Sequence, residues 1–142
     1  MIVWLRHGES TWNAAGRMQG RTEHPPLTER GREQVRAVVA ELAAERPTRV
    51  LTSPAVRARE SAEIVATELG LVVVEDDRLL ELGLGEDPAD VLERIGALAA
   101  EIGPDETVVA VSHGDTIALA HRLLTGQSLV AAVPNAGVLR TP

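Results

Sequence analysis

Residues able to handle an anion gather at four points of the chain, each beside a short apolar run. Arg6-His7-Gly8-Glu9 follows residues 2–5; Ser53, with Arg57 four positions on, follows 49–52; Asp76, Asp77 and Glu81 follow 71–75; Ser112-His113-Gly114 closes 107–112. Two histidines, two arginines and a nearby carboxylate are suited to gripping a tetrahedral anion, attacking it and releasing it. Arginine forks hold nonbridging oxygens in pairs. Gly8 and Gly114 allow backbone N–H groups to come close, and helix starts behind them favour negative charge.

These groups meet only if the runs are parallel strands ending on one side of a sheet. Each run is β-branched, short and apolar, as buried strands are. Between them lie helical stripes: Val35, Val38, Val39, Leu42 and Ala43 on one face, and Val91, Leu92, Ile95, Leu98, Ala99 and Ile102 on another. A third helix is expected from Ser53 as N-cap and Pro54 as first residue to a stop at Gly70, and a fourth over about 115–124, with Asp115 as a candidate cap. Alternating strands and helices predict a three-layer α/β/α fold with a mostly parallel sheet. Residues 137–140 would add an edge strand. The Pro- and Gly-bearing stretches 20–26 and 83–88 read as loops, so residues 1–142 are expected to form one domain.

Composition narrows the chemistry. The 142 residues contain no cysteine, which removes thiolate catalysis, disulfides and cysteine-held zinc. The net charge of −7 opposes nonspecific nucleic-acid binding, and with only Trp4 and Trp12 as aromatics there is little to stack on bases. All 14 basic residues are arginine, a usage that a GC-rich genome alone would produce, although arginine is also the better bidentate partner for phosphate. No run approaches the roughly 20 apolar residues of a membrane span, and the first residues lack the order of a secretory signal. A cytoplasmic protein without membrane partners is expected.

Four motifs then appear in order: Leu5-Arg6-His7-Gly8-Glu9-Ser10-Thr11-Trp12-Asn13; Pro26-Leu27-Thr28 with Gly31; Thr52-Ser53-Pro54 leading to Arg57-Ala58; and Ser112-His113-Gly114. In these the chain resembles the histidine phosphatase superfamily, the phosphoglycerate mutase-like proteins, over nearly its whole length. The resemblance implies a phosphoglycerate mutase-like fold and a phosphohistidine formed on His7, which must be neutral to attack phosphorus. It implies that Arg6, Arg57 and His113 orient and neutralise the transferring group. Glu81, followed by Gly85 in the family's Glu-x-x-x-Gly pattern, takes the proton-donor role. Asn13 and Gly20 correspond to positions lining the phosphate or leaving-group side. No metal or other cofactor is required.

Within that family the segment between Gly85 and the helix near Pro88 is short, whereas mutases carry a longer cap with extra basic residues. The cap is therefore expected to be largely absent, and a metal-independent phosphoric monoester hydrolase is expected, acting on a phosphorylated small molecule or a phosphoprotein. The alternatives are a phosphoglycerate mutase-type phosphotransferase and a noncatalytic phosphate-binding module. A serine hydrolase triad around Ser112 and His113 lacks the G-x-S-x-G elbow. A metal site from His7, His113, Asp77 and Asp115 would place a cation beside two arginines. Arg17, Arg21 and Arg59 read as solvated, with Arg21 able to face the pocket mouth; His24 and His121 receive no role.

Overall fold

The computed structural model describes residues 1–142. Its elements run β1 (Ile2–Arg6), α1 (Thr11–Ala14), α2 (Glu29–Ala44), β2 (Arg49–Thr52), α3 (Val56–Leu69), β3 (Val73–Glu75), a 3₁₀ turn (Asp77–Leu79), α4 (Pro88–Ala100), β4 (Val108–Ser112), α5 (Gly114–Thr125) and β5 (Val138–Thr141). One sheet has the strand order β3-β2-β4-β1-β5. Its first four strands are parallel, and β5 lies antiparallel along β1. This is the α/β architecture expected from the alternating pattern, with the edge strand where the last apolar run placed it.

The period-2 alternation of the strands divides the core in two. Ile2, Trp4, Leu51, Val108 and Ala110 pack with Val91, Ile95 and Leu98 of α4 and Ile117 and Ala120 of α5. Val3, Leu5, Val50, Val109 and Val111 face the other way, onto Val35 and Leu42 of α2 and Ala58, Ala62 and Val65 of α3. β1 and β4 are apolar on both faces because both faces are covered. The connection leaving β1 goes to the α2 layer and the one leaving β4 to the α5 layer. A crevice therefore opens between the carboxyl ends of these neighbours, where open α/β sheets gather ligands.

Two expectations are corrected. β3 starts at Val73 rather than residue 71, and it is a half-exposed edge strand rather than a buried one. The third helix begins at Val56, not at Ser53-Pro54, and its N-cap Ala55 offers no side-chain bond. The Ser53 hydroxyl instead meets His113 Nε2 at 2.8 Å, and the Val56 N–H donates to the Glu23 carbonyl at 3.0 Å. Tertiary partners outcompete the local cap. Gly70, at φ +66°, closes α3 as expected. No helix is long and apolar enough to cross a membrane.

Candidate active site

Strand register brings the histidines together. Arg6 stands opposite Ser112 across β1 and β4, and Thr52 opposite Val111 across β2 and β4, so His7, His113 and Ser53 emerge side by side. The His7 N–H donates to the Ser112 carbonyl at 3.1 Å, and the two imidazole rings meet edge to face with centroids 5.3 Å apart. Both are sealed, at 1% exposure each.

His7 Nδ1 lies 2.7 Å from the Gly8 carbonyl oxygen. A carbonyl can only accept, so Nδ1 carries the proton and Nε2 keeps its lone pair. Nε2 makes no hydrogen bond within the protein. Burial, helped by the positive charges of Arg57 and Arg6, pushes the His7 pKa down to about 3. The ring is therefore neutral near pH 7. His113 is also held well below the ordinary histidine value by burial, then by His7 and Arg57.

Arg57, on the first turn of α3, is completely buried. Its guanidinium donates to the carbonyls of Thr22 and Gly20 at 2.8 and 2.9 Å and to Glu81 Oε2 at 2.9 Å. Arg6 reaches the Val133 carbonyl at 2.7 Å. The Nε atoms of both arginines are buried without any acceptor. Buried donors left unsatisfied are uncommon and costly, and Arg59 Nε is a third such donor. Glu81, whose side chain is 21% exposed, lies 3.8 Å from His113 Nδ1, and desolvation raises its pKa against the opposing pull of Arg57. A cavity of about 220 Å³ is lined by Arg57, Glu81 and His113 together with Arg21, Glu23 and Leu80, while His7 and Arg6 are not among its lining residues.

The other candidates are placed differently. Gly20 lines the cavity and gives its carbonyl to Arg57. Gly114 starts α5 in contact distance of Arg6, and a Cβ there would sit 3.6 Å from Arg6 Nε. Gly8 does not turn its N–H to the cavity: that group donates to Ser61 Oγ at 3.0 Å, and a Cβ would strike the Gly31 carbonyl at 2.4 Å. Its lack of a side chain serves packing. Asn13 is committed to the Ser10 capping box of α1, accepts from Asn135 at 3.3 Å and is not among the residues lining the cavity.

Asp76 caps the 3₁₀ turn and pairs with Arg78, outside the constellation it was expected to join. His113 is the N-cap residue of α5, and Asp115 sits within the first turn instead. Ser112 Oγ is spent on the Leu79 carbonyl at 2.6 Å, which removes it as a nucleophile. His7, His113, Asp77 and Asp115 do not assemble as metal ligands. Sequence reasoning missed residues 133–136. Their carbonyl at Val133 holds Arg6, while the Ala136 N–H and Asn135 Nδ2 reach the His7 carbonyl at 3.1 and 3.3 Å. Nothing in this loop's composition signals the role, since its contacts are mainly backbone ones.

Residues 2–88 match the histidine phosphatase superfamily (branch 1). A probable phosphoglycerate mutase, GpmB of Photorhabdus laumondii, is 43% identical over 102 residues, 70% of this chain and 45% of that protein. GpmB of Serratia proteamaculans is 43% identical over 84 residues, 59% of this chain and 39% of that relative. The chain thus covers less than half the length of these curated relatives. Among solved structures, YhfR of Bacillus stearothermophilus superposes with a TM-score of 0.85 at 26% identity, covering 96% of this chain and 88% of that one. A mycobacterial glucosyl-3-phosphoglycerate phosphatase, solved in complex with VO3, gives 0.84 at 28% identity, with 95% and 87% covered.

Proposed function

The chain belongs to the histidine phosphatase superfamily, and from that premise we propose that it hydrolyses phosphomonoesters by two successive displacements at phosphorus. The observation that carries this reading is the geometry of His7: Nδ1 is tied to the Gly8 carbonyl, and the ring is neutral, buried and without a hydrogen bond at Nε2. That is a nucleophile needing no deprotonation at neutral pH.

A phosphoryl dianion would take the free donors of Arg6 and Arg57 and compete with Glu81 for Arg57. Its charge would raise the Glu81 pKa further and favour the protonated acid. Nε2 then bonds to phosphorus as the ester oxygen leaves with the proton of Glu81. In the second step Glu81 takes a proton from water, the water oxygen bonds to phosphorus, the P–Nε2 bond breaks and orthophosphate departs. Arg6 and Arg57 stabilise charge on the equatorial oxygens throughout, with the uncharged His113 packed against Arg57, so the barrier falls by preorganised electrostatics.

The name of the GpmB relatives favours a second reading, phosphoryl transfer between positions of phosphoglycerate. The charge inventory supports hydrolysis instead. Arg21, lining the cavity, is bound to Glu86 at 2.8 Å, and Glu23 places a further carboxylate there. A second anionic group on the substrate has no uncommitted cation to meet. The substrate class that fits is a phosphorylated small molecule.

Incubation with p-nitrophenyl phosphate and, separately, with 3-phosphoglycerate plus its bisphosphate primer tests the choice. Release of orthophosphate, an acid-labile phosphohistidine on quenching, and loss of both in His7→Ala are expected. Isomerisation without hydrolysis would establish the mutase, and vanadate binding without any turnover would establish a binding module.

A further inference from the structure

The loop that carries Glu81 is knotted by three charged side chains, Glu86, Arg94 and Arg21, of which Arg21 also lines the cavity. Glu86 Oε1 accepts from Arg21 at 2.8 Å, from Arg94 of α4 at 3.1 Å and from the Gly83 N–H at 3.0 Å; its Oε2 accepts from Arg94 Nε at 3.3 Å. Both arginines then turn to the backbone of Glu81 itself. Arg21 Nε donates to the Glu81 carbonyl at 3.0 Å and Arg94 reaches the same oxygen at 3.5 Å, while a second Arg94 nitrogen holds the Arg78 carbonyl at 2.6 Å. Arg21 lies flat over Gly83, where a Cβ would come within 2.8 Å of its Nε. Glu86 and Arg94 have only 16% and 15% of their side chains exposed. A shielded, multiply bonded arrangement of this kind holds its geometry far better than a solvated surface pair.

We propose that Glu86 is a positioning residue for Glu81: by drawing Arg21 and Arg94 onto the Glu81 carbonyl, it fixes the carboxyl group at the height where it reaches both Arg57 and the leaving oxygen. This rests on the reading of Glu81 as the proton donor. Without Glu86, two guanidinium groups would face each other with no counter-charge between them, and the loop would lose the bonds that set Glu81 against Arg57. A general acid displaced by an ångström loses most of its effect on a poor leaving group and little on a good one.

The test compares kcat/KM for an alkyl monoester, glycerol phosphate, with that for p-nitrophenyl phosphate, whose phenolate leaves without protonation. In Glu86→Gln the alkyl-to-aryl ratio is expected to fall on the order of 10–100-fold while the aryl value stays within about threefold of wild type. Glu86→Asp, which keeps the charge, should recover part of the ratio. An equal fall on both esters, or an unchanged ratio, overturns the proposal. Glu81→Gln run alongside separates the two readings. If its ratio falls and that of Glu86→Gln does not, only the positioning role is lost; if its ratio is unchanged, the assignment of Glu81 is lost and the positioning role with it. Should Glu86→Gln not fold, Arg21→Gln removes one arm of the same clamp from a side chain 42% exposed, and its ratio should fall by at least about threefold; an unchanged ratio there counts equally against the proposal.

Discussion

His7 and His113 are buried uncharged beside two arginines, and that has a cost that depends on pH. Each has a folded-state pKa below the ordinary histidine value, His7 at about 3. Between that range and about pH 6.5 the unfolded chain binds more protons than the folded one, so stability rises with pH through this window. Glu81 acts in the opposite sense: its pKa is raised by burial, and its contribution is lost as pH rises through the folded value. Urea titrations at a series of pH values should show stability falling as pH drops below about 6.5. In His7→Asn, which keeps a donor for the Gly8 carbonyl, the slope should lessen by up to about 1.4 kcal/mol per pH unit, the value of one proton. An identical slope in the variant would mean that His7 titrates normally. For activity, kcat/KM on an alkyl ester should decline as pH rises through the Glu81 pKa, and that limb should vanish in Glu81→Gln.

At the scale of elements, close approach of backbones positions His7. The start of α2 presses on the segment after β1: a Cβ on Gly31 would lie 2.1 Å from the Glu9 carbonyl oxygen, and one on Gly8 2.4 Å from that of Gly31. Gly31→Ala is expected to cost about 1–3 kcal/mol in denaturant unfolding and to lower activity, because backbone cannot yield as a side-chain tip can. Gly70→Ala at the end of α3 makes a contrast. Its φ of +66° carries a strain of about 1–2 kcal/mol for alanine, but nothing lies within 4 Å of the added carbon, so turnover should be untouched. The two glycines were not equally legible. Gly70 announces itself by following a periodic apolar stripe, whereas Gly31 sits inside a helix, and only the contact partner explains it. The start of α3 departs from the local signal for a related reason: Ser53-Pro54 has the chemistry of a helix start, but His113, 60 residues away, lies closer to the hydroxyl, at 2.8 Å, than the Ala55 N–H does at 3.4 Å.

For the molecule as a whole, the mostly parallel sheet with helices on both faces is legible because each central strand is apolar on both faces and each long helix on one, whereas the order of the strands comes from the structure alone. The convergence of His7, Arg57 and His113 followed from parallel strands sharing an end. What could not be read were bonds to main-chain atoms, which carry no residue signature: the Thr22 and Gly20 carbonyls on Arg57, and the loop 133–136 around His7. Trp4 offers a test of how the last strand is tied in. Its buried indole N–H donates to Thr141 Oγ1 at 2.9 Å. Thr141→Val leaves that donor unpaired and should destabilise the protein by about 1–3 kcal/mol, read from Trp fluorescence on unfolding. The same long-range tie bears on biosynthesis. Arg6 and His7 obtain their Val133 and Asn135 partners from 127 and 128 residues further along. A ribosome adding 5–20 residues each second needs on the order of ten seconds to cover that distance. A nascent chain therefore emerges with His7 unframed, and the hydrolysis proposed above should become possible only once translation has delivered β5.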